Sequence, residues 1–143
     1  MFVIRPALTY GTECWTTYGT YIKKMQTTEM RMLRMAARVT LRDRIRNQYI
    51  RGSLGVRDIA DKMEEKQLRW YGHVKRRPSD HMVAQAMKLR LRQQQERTRG
   101  RPRHSWIQQQ HQRLEKNNLT EADIPNRTVC HLRTRRADPN SYR

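Results

Sequence analysis

The sequence predicts an all-α chain, a small irregular helical bundle with a basic surface and a disordered C-terminal tail. Three observations carry that expectation. β-Branched residues are scattered and apolar–polar alternation never persists, so strand signals are almost absent. Val56, Ile59, Ala60, Met63, Trp70, Tyr71 and Val74, by contrast, recur at helical spacing through five turns. Finally, 31 Lys and Arg oppose 13 Asp and Glu, a formal charge of +18 spread along the chain. Residues 21–60 hold ten bases against three acids, 61–100 eleven against five, and 101–143 nine against four. The 143 residues make one ordinary domain, but a hydrophobic content of 36% supplies only a thin core.

Helical reading begins at Pro6, whose missing N–H is one that a first turn cannot pair. Leu8, Thr12 and Trp15 then share a face, beside a small-residue face of Ala7, Gly11 and Cys14. Only Arg5 and Glu13 are charged among the first twenty residues, so this segment reads as a buried element and not as a binding surface. After "TTYGT", Thr20 is placed to cap a second helix. Ile22, Met25, Met32, Leu33, Ala36 and Val39 cluster on one side of it, with Arg31, Arg34 and Arg38 on other faces.

Arg42 to Arg51 reads as a short helix carrying Ile45 and Tyr49, and "GSLG" as a glycine-bounded turn. The long amphipathic helix of Val56 to Val74 follows and ends before Pro78. Ser79 is placed to cap a helix from Asp80 toward Gln95, and the polar run "RQQQERTRGRPRH" interrupts it. Ser105 to Lys116 forms another helix with Trp106, Ile107 and Leu114 inward. In "LTEAD", Thr120 is a cap and Asp123 is spaced to reach back to it. Residues 134–143 read as a disordered end.

A charge of +18 is the footprint of a polyanion binder, with nucleic acid as the default partner. No apolar run is long enough for a spanning helix, and Arg5 and Pro6 break "MFVIRPAL" before it reaches signal-peptide length, so no membrane partner and an intracellular location are expected. Catalytic motifs are missing: there is no G-x-x-x-x-G-K-[ST] and no G-x-S-x-G. The densest acids, Asp58, Asp61, Glu64 and Glu65, read as a solvated helix face and not as a carboxylate cluster for metal ions. Cys14 and Cys130 lie 116 positions apart, which excludes a zinc knuckle, and Cys130-His131 reads as a small apolar residue beside a surface imidazole. His73, His81, His104 and His111 follow no metal spacing. Neither cofactor nor metal is expected.

Three stretches in order, "RPALTYGTECW" (5–15), "RWYGHVKRRP" (69–78) and "RGRPRHSW" (99–106), resemble the region that follows the catalytic palm in reverse transcriptases of non-long-terminal-repeat, LINE-like retrotransposons. The connecting "EMRMLRMAARVTLRDRIRN" (29–47) is similar to the arginine-rich helix and W-x-D-R-x-R-N stretch of that family, with Thr40-Leu41-Arg42 in place of the aromatic lead-in. The resemblance covers Arg5 to Arg133. It implies a thumb-like helical region over 1–78, a basic C-terminal helical region with the RGRPR turn over 79–133, and a tail over 134–143.

In that family this part grips template and primer, or target DNA, while the palm polymerises. The palm carboxylates are expected upstream of Arg5, so the chain reads as a non-catalytic fragment. Its partners would be a DNA or RNA duplex and the palm domain of the parent protein, in the nucleus if expressed. "IPNRTVCHLR" (124–133) departs from the family's A-x-D-R-x-x-W-R-like segment, with Asn126 for the acid, Cys130 for the tryptophan and His131 for the arginine. Losing a large aromatic from a thin core is expected to weaken the packing of the last helix.

The candidate phosphate-binding residues are Arg31, Arg34, Arg38, Arg42, Arg44 and Arg46, then Lys75, Arg76 and Arg77, then Arg99, Arg101 and Arg103. The last three admit two readings. Gly100 and Pro102 between arginines fit a minor-groove hook, whereas Trp106, at helical spacing to Gln110 and Leu114, favours an anchored basic turn on phosphates. A free-standing DNA-binding module, using Arg42 to Val74 as a helix-turn-helix or Arg99 to Arg103 as the hook, is the alternative. So is a decayed fragment with no present function.

Overall fold

The computed structural model describes residues 4–95 and 105–136. Among these residues there are seven α-helices and no strand, as the sequence predicts: α1 (Ile4–Leu8), α2 (Gly19–Ala36), α3 (Asn47–Ser53), α4 (Ile59–Lys75), α5 (Met82–Gln95), α6 (Trp106–Lys116) and α7 (Arg127–Thr134). Single 3-10 turns lie at Thr12–Cys14 and Glu121–Asp123. Arg99, Arg101 and Arg103 lie outside the described residues, as do residues 137–143 of the expected tail. The chain divides into two compact units, Met1–Lys66 with Arg135–Arg143, and Gln67–Thr134.

The first unit has a small apolar core of Met30 and Leu33 on α2 and Ile50 on α3, with Val39, Ile45, Leu54 and Val56 packed against it. Its N-terminal segment is held by polar groups. Arg5 Nε donates to Glu29 at 2.8 Å and a second nitrogen donates to the Arg57 carbonyl. Arg51 lies 3.5 Å from the other Glu29 oxygen and 2.9 Å from Asp58, which also accepts from Gln26 at 3.0 Å. Lys66 Nζ donates to Thr9 Oγ1 at 2.7 Å.

Several expectations for this unit are corrected. The first helix stops at Leu8, because the chain turns at Gly11 with φ 68°, a left-handed conformation that glycine adopts without a Cβ clash. The face of Leu8, Thr12 and Trp15 therefore does not form. Thr9, Thr12 and Thr17 are the buried residues of the segment, and Tyr10, Trp15 and Tyr18 are exposed. Tyr18, not Thr20, stands at the N-cap of α2. The helix expected over Arg42 to Arg51 is replaced by a loop and then α3. Asp43 accepts from the Thr40 N–H at 2.7 Å and from its hydroxyl at 3.0 Å, a local bond that competes with helix formation. Ile50, not Tyr49, faces the core.

The second unit is built on Leu68 and Tyr71 of α4, Leu114 of α6, and Leu119 and Ile124 beyond it, with Met87 and Trp106 against them. Such a core is thin, and buried amides extend it. Gln67 accepts from Arg113, and Gln110, its amide oxygen turned toward Arg113 Nη1 and Trp106 Nε1, accepts at 3.0 and 3.2 Å. The Thr120–Asp123 capping box forms as expected, with Asp123 Oδ2 accepting from the Thr120 N–H at 2.9 Å and its hydroxyl at 2.8 Å. α7 runs through Thr134, which is buried, so the helix extends one residue into the expected tail. Cys130 is seated against α4, where a Cβ on Gly72 would come within 3.3 Å of its sulfur.

Candidate nucleic-acid interface

α2 is long enough to present one continuous face, and the residues on it recur at i, i+4, i+7, i+8 and i+11: Lys23, Thr27, Met30, Arg31 and Arg34. With Met35, Val39, Leu41, Asn47 and Arg51 they line a groove of about 760 Å³ between α2, the 39–46 loop and α3. Its lining mixes apolar and polar side chains, and its charged residues are all cationic. Arg51 is ion-paired to Glu29 and Asp58, and Arg34 acts on Asp43, which leaves Lys23 and Arg31 as the lining charges with no ion pair among the described residues.

Arg34 also builds the loop. Its Nη2 donates to the Ile45 carbonyl at 2.8 Å and to Asn47 Oδ1 at 2.9 Å, and its Nη1 reaches the Thr40 carbonyl at 3.4 Å. The loop is thereby fixed from α2, and Arg42, Arg44 and Arg46 project from it exposed. Asp43, the one acid in the loop, sits below the usual carboxylate range because Thr40 donates to it from backbone and side chain, with Arg34 adding a smaller push. It is engaged with Thr40.

The end of α2 is unusual. Among the described residues three helices end in a Schellman motif, recognisable by the paired back-bonds of the two residues after the cap. In α3 the left-handed position is Gly55, with Val56 N–H bonded to the Arg51 carbonyl at 2.8 Å. In α6 it is Asn118, with Leu119 N–H on Leu114 at 2.9 Å. These are the residue types that tolerate positive φ. In α2 the position holds Arg38, at φ 55°, with Val39 N–H on Arg34 at 3.0 Å. Arg44 in the loop has φ 50°. A long side chain there costs about 1 kcal/mol or more relative to glycine. Arg31, Arg38, Arg42, Arg44 and Arg46 are all exposed, and none makes a side-chain hydrogen bond or ion pair among the described residues.

The second basic cluster is differently employed. Lys75 reaches Glu121 at 3.3 Å and lies over the Tyr71 ring, Arg76 donates to the Ile124 carbonyl at 2.8 Å, and Arg77 to His73 at 2.9 Å. Arg76 thus ties α4 to the segment before α7. Tyr71 donates to Glu121 at 3.1 Å and stands 3.2 Å from His111. Desolvation by burial, with the Glu121 charge and hydrogen bond adding to it, pushes the Tyr71 hydroxyl well above its ordinary pKa. This arrangement holds the core of the second unit.

The structure therefore brings Arg31 and Arg34 together at one groove in the first unit, with Arg38, Arg42, Arg44 and Arg46 on the helix end and loop beside it. Lys75, Arg76 and Arg77 lie in the second unit. Lys23 is not among the residues the sequence points to, although its eight-residue spacing to Arg31 places both on one helical face. Among the described residues no group of three metal-ligating side chains comes together, and no helix is long and apolar enough to cross a membrane.

No protein-family model matches the chain, and no solved structure matches it. Over 79 residues, 52% of this chain, it is 34% identical to a transposon-derived protein of Caenorhabditis elegans. The chain spans 28% of that relative's length. Over about half its length, then, this all-helical basic chain is similar to transposon-derived sequence.

Proposed function

We propose that this chain belongs to the reverse transcriptase of a non-long-terminal-repeat retrotransposon, where it holds a nucleic-acid duplex by its phosphates and takes no part in covalent chemistry. The palm of such an enzyme would be its protein partner and the nucleus its place of action. The transposon-derived relative supports the origin, and the ordered motifs at 5–15, 29–47, 69–78 and 99–106 support the enzyme class. One observation carries the binding role: Arg38 and Arg44 occupy left-handed positions that glycine would fill at lower cost, and both are exposed. The backbone bonds of the two turns would form equally well with glycine there, and among the described residues neither arginine side chain has a hydrogen bond or ion pair to set against that cost, whereas a phosphate would supply one.

Backbone gripping is favoured over a free-standing helix-turn-helix. In that motif the N-terminal end of the second helix enters the major groove. α4 begins at Ile59, which is fully buried, and Asp58, Asp61, Glu64 and Glu65 crowd its first turns. Asp58 is bound to Arg51 and Gln26 and Glu65 is buried, so the start of α4 is packed within the first unit and not free to enter a groove, and the expected solvated acidic face does not form.

The test is duplex binding as a function of salt. The chain is expected to bind duplexes of unrelated sequence alike, and Arg38→Gly, Arg42→Ala and Arg46→Ala should each lower the magnitude of the salt slope by about one per lost phosphate contact. Strong preference for one sequence at fixed salt would establish the module reading instead. Primer extension with magnesium or manganese should give no incorporation; activity abolished by replacing an acid of this chain would overturn the non-catalytic role.

A further inference from the structure

The segment before α2 and the first turn of α2 carry exposed aromatic side chains that do not line the duplex-binding groove. Tyr10, Trp15, Tyr18 and Tyr21 are 83, 52, 46 and 57% exposed, four aromatic side chains within twelve residues of a chain with a thin core. Their presentation is built. The left-handed turn at Gly11 lets the Trp15 indole lie over that glycine, 3.7 Å from where a Cβ would stand. Tyr18 and Tyr21, one helical turn apart, meet edge to face at 5.8 Å. Lys24 is the next residue on that i, i+3 row, and Lys23 already lines the basic groove.

We propose that Tyr10, Trp15, Tyr18 and Tyr21 form a stacking platform for the unpaired bases of a single nucleic-acid strand, whose phosphates are met by Lys23 and Lys24. The inference rests on the nucleic-acid reading above and adds a second ligand form to it. Composition and charge select the occupant. The large exposed side chains of 9–21 are all aromatic, with no exposed Leu, Ile, Val or Met among them, and every base offers a π face to such a ring. Glu13 is the one acid in residues 1–28, against Arg5, Lys23 and Lys24. An anionic ligand with flat apolar faces fits both facts.

The experiment compares a short oligothymidylate with a mixed-sequence duplex, using the full chain. Trp15→Leu and Tyr21→Leu should each weaken oligothymidylate binding roughly tenfold, the scale of one lost base–aromatic stack, and leave duplex binding unchanged. Trp15→Phe should keep most of the affinity yet lose the oligonucleotide-induced quenching of tryptophan emission. If Trp15→Leu reduces the helical circular-dichroism signal, Tyr10→Leu carries the test. Oligothymidylate binding unaffected by the leucine variants overturns the platform, as does an equal loss on both probes. So does a surface whose leucine variants abolish only self-association or sedimentation with anionic vesicles. If the wild type binds duplex but no oligothymidylate, the platform alone fails; if it binds neither, the nucleic-acid reading fails with it.

Discussion

Arg5 donates to Glu29 at 2.8 Å, and Glu29 is only 2% exposed. This pair joins α1 to α2 inside a unit whose fully buried apolar cluster is Met30, Leu33 and Ile50. Arg51 approaches the same carboxylate from α3. The centre of the first unit is thus an acid shared by two arginines, and removing the acid would leave two partly buried cations facing one another.

Glu29→Ala is accordingly expected to destabilise the chain by about 3 kcal/mol, the scale of breaking a buried pair from one side. Urea denaturation followed by circular dichroism measures it. Replacing Arg5 alone should cost less, because Arg51 still reaches Glu29.

Arg34 and Arg38 should separate by role. Arg34→Ala removes the bonds to the Ile45 carbonyl and Asn47 that fix the loop, and should cost about 1–2 kcal/mol. Arg38→Gly should instead leave stability unchanged or raise it by up to about 1 kcal/mol, by relieving the left-handed backbone. A thermal melt of each variant distinguishes them, and a destabilised Arg38→Gly would remove the argument from conformational cost.

Placing at position 130 the tryptophan of the family that this segment resembles should harm this chain. Cys130 is 4% exposed, and its sulfur already stands at close contact with the place of a Gly72 Cβ. Cys130→Trp is expected to overpack the site and cost about 1–3 kcal/mol, where Cys130→Ala costs less. Denaturant midpoints of the two variants give the order.

Acid should weaken the second unit. Partial burial works to raise the Glu121 carboxyl, but the Lys75 charge, the Tyr71 and Lys75 hydrogen bonds and His111 outweigh it, so it sits below its ordinary value. Asp123 is lowered by the Thr120 backbone and side-chain hydrogen bonds, with Arg133 assisting. Groups whose folded pKa is depressed contribute stability that is full above the unfolded carboxylate range and is lost as pH falls through the folded values. Stability should therefore decline below about pH 4, and Glu121→Gln with Asp123→Asn should flatten that decline.

Where apolar residues repeat at helical spacing or a cap has a defined partner, the sequence was informative. α4, α6 and the Thr120–Asp123 box follow from such signals. The first forty-six residues were harder to read, because polar contacts distant in sequence decide them. Arg5 finds Glu29, Lys66 finds Thr9, and Arg34 finds Ile45 and Asn47, and no periodicity announces these partners. At the candidate site the residue types were legible as a run of arginines. Their division into loop-building Arg34 and exposed Arg31, Arg38, Arg42, Arg44 and Arg46 was not, since it depends on where α2 ends.

The acids of residues 21–60 are Glu29, Asp43 and Asp58. Glu29 and Asp58 face inward to Arg5 and Arg51, and Asp43 is tied to Thr40. Pairing with Arg5 and Arg51 thus takes up two of the three negative charges and one of the ten bases, so the rest of this segment carries nine bases against one acid. Dissolved ions act unequally on the paired and the remaining charges, because pairs shielded from solvent are screened far less than exposed charge. Rising salt should therefore release a bound polyanion while leaving the Arg5–Glu29–Arg51 linkage in place, so that detachment is reversible and occurs without unfolding.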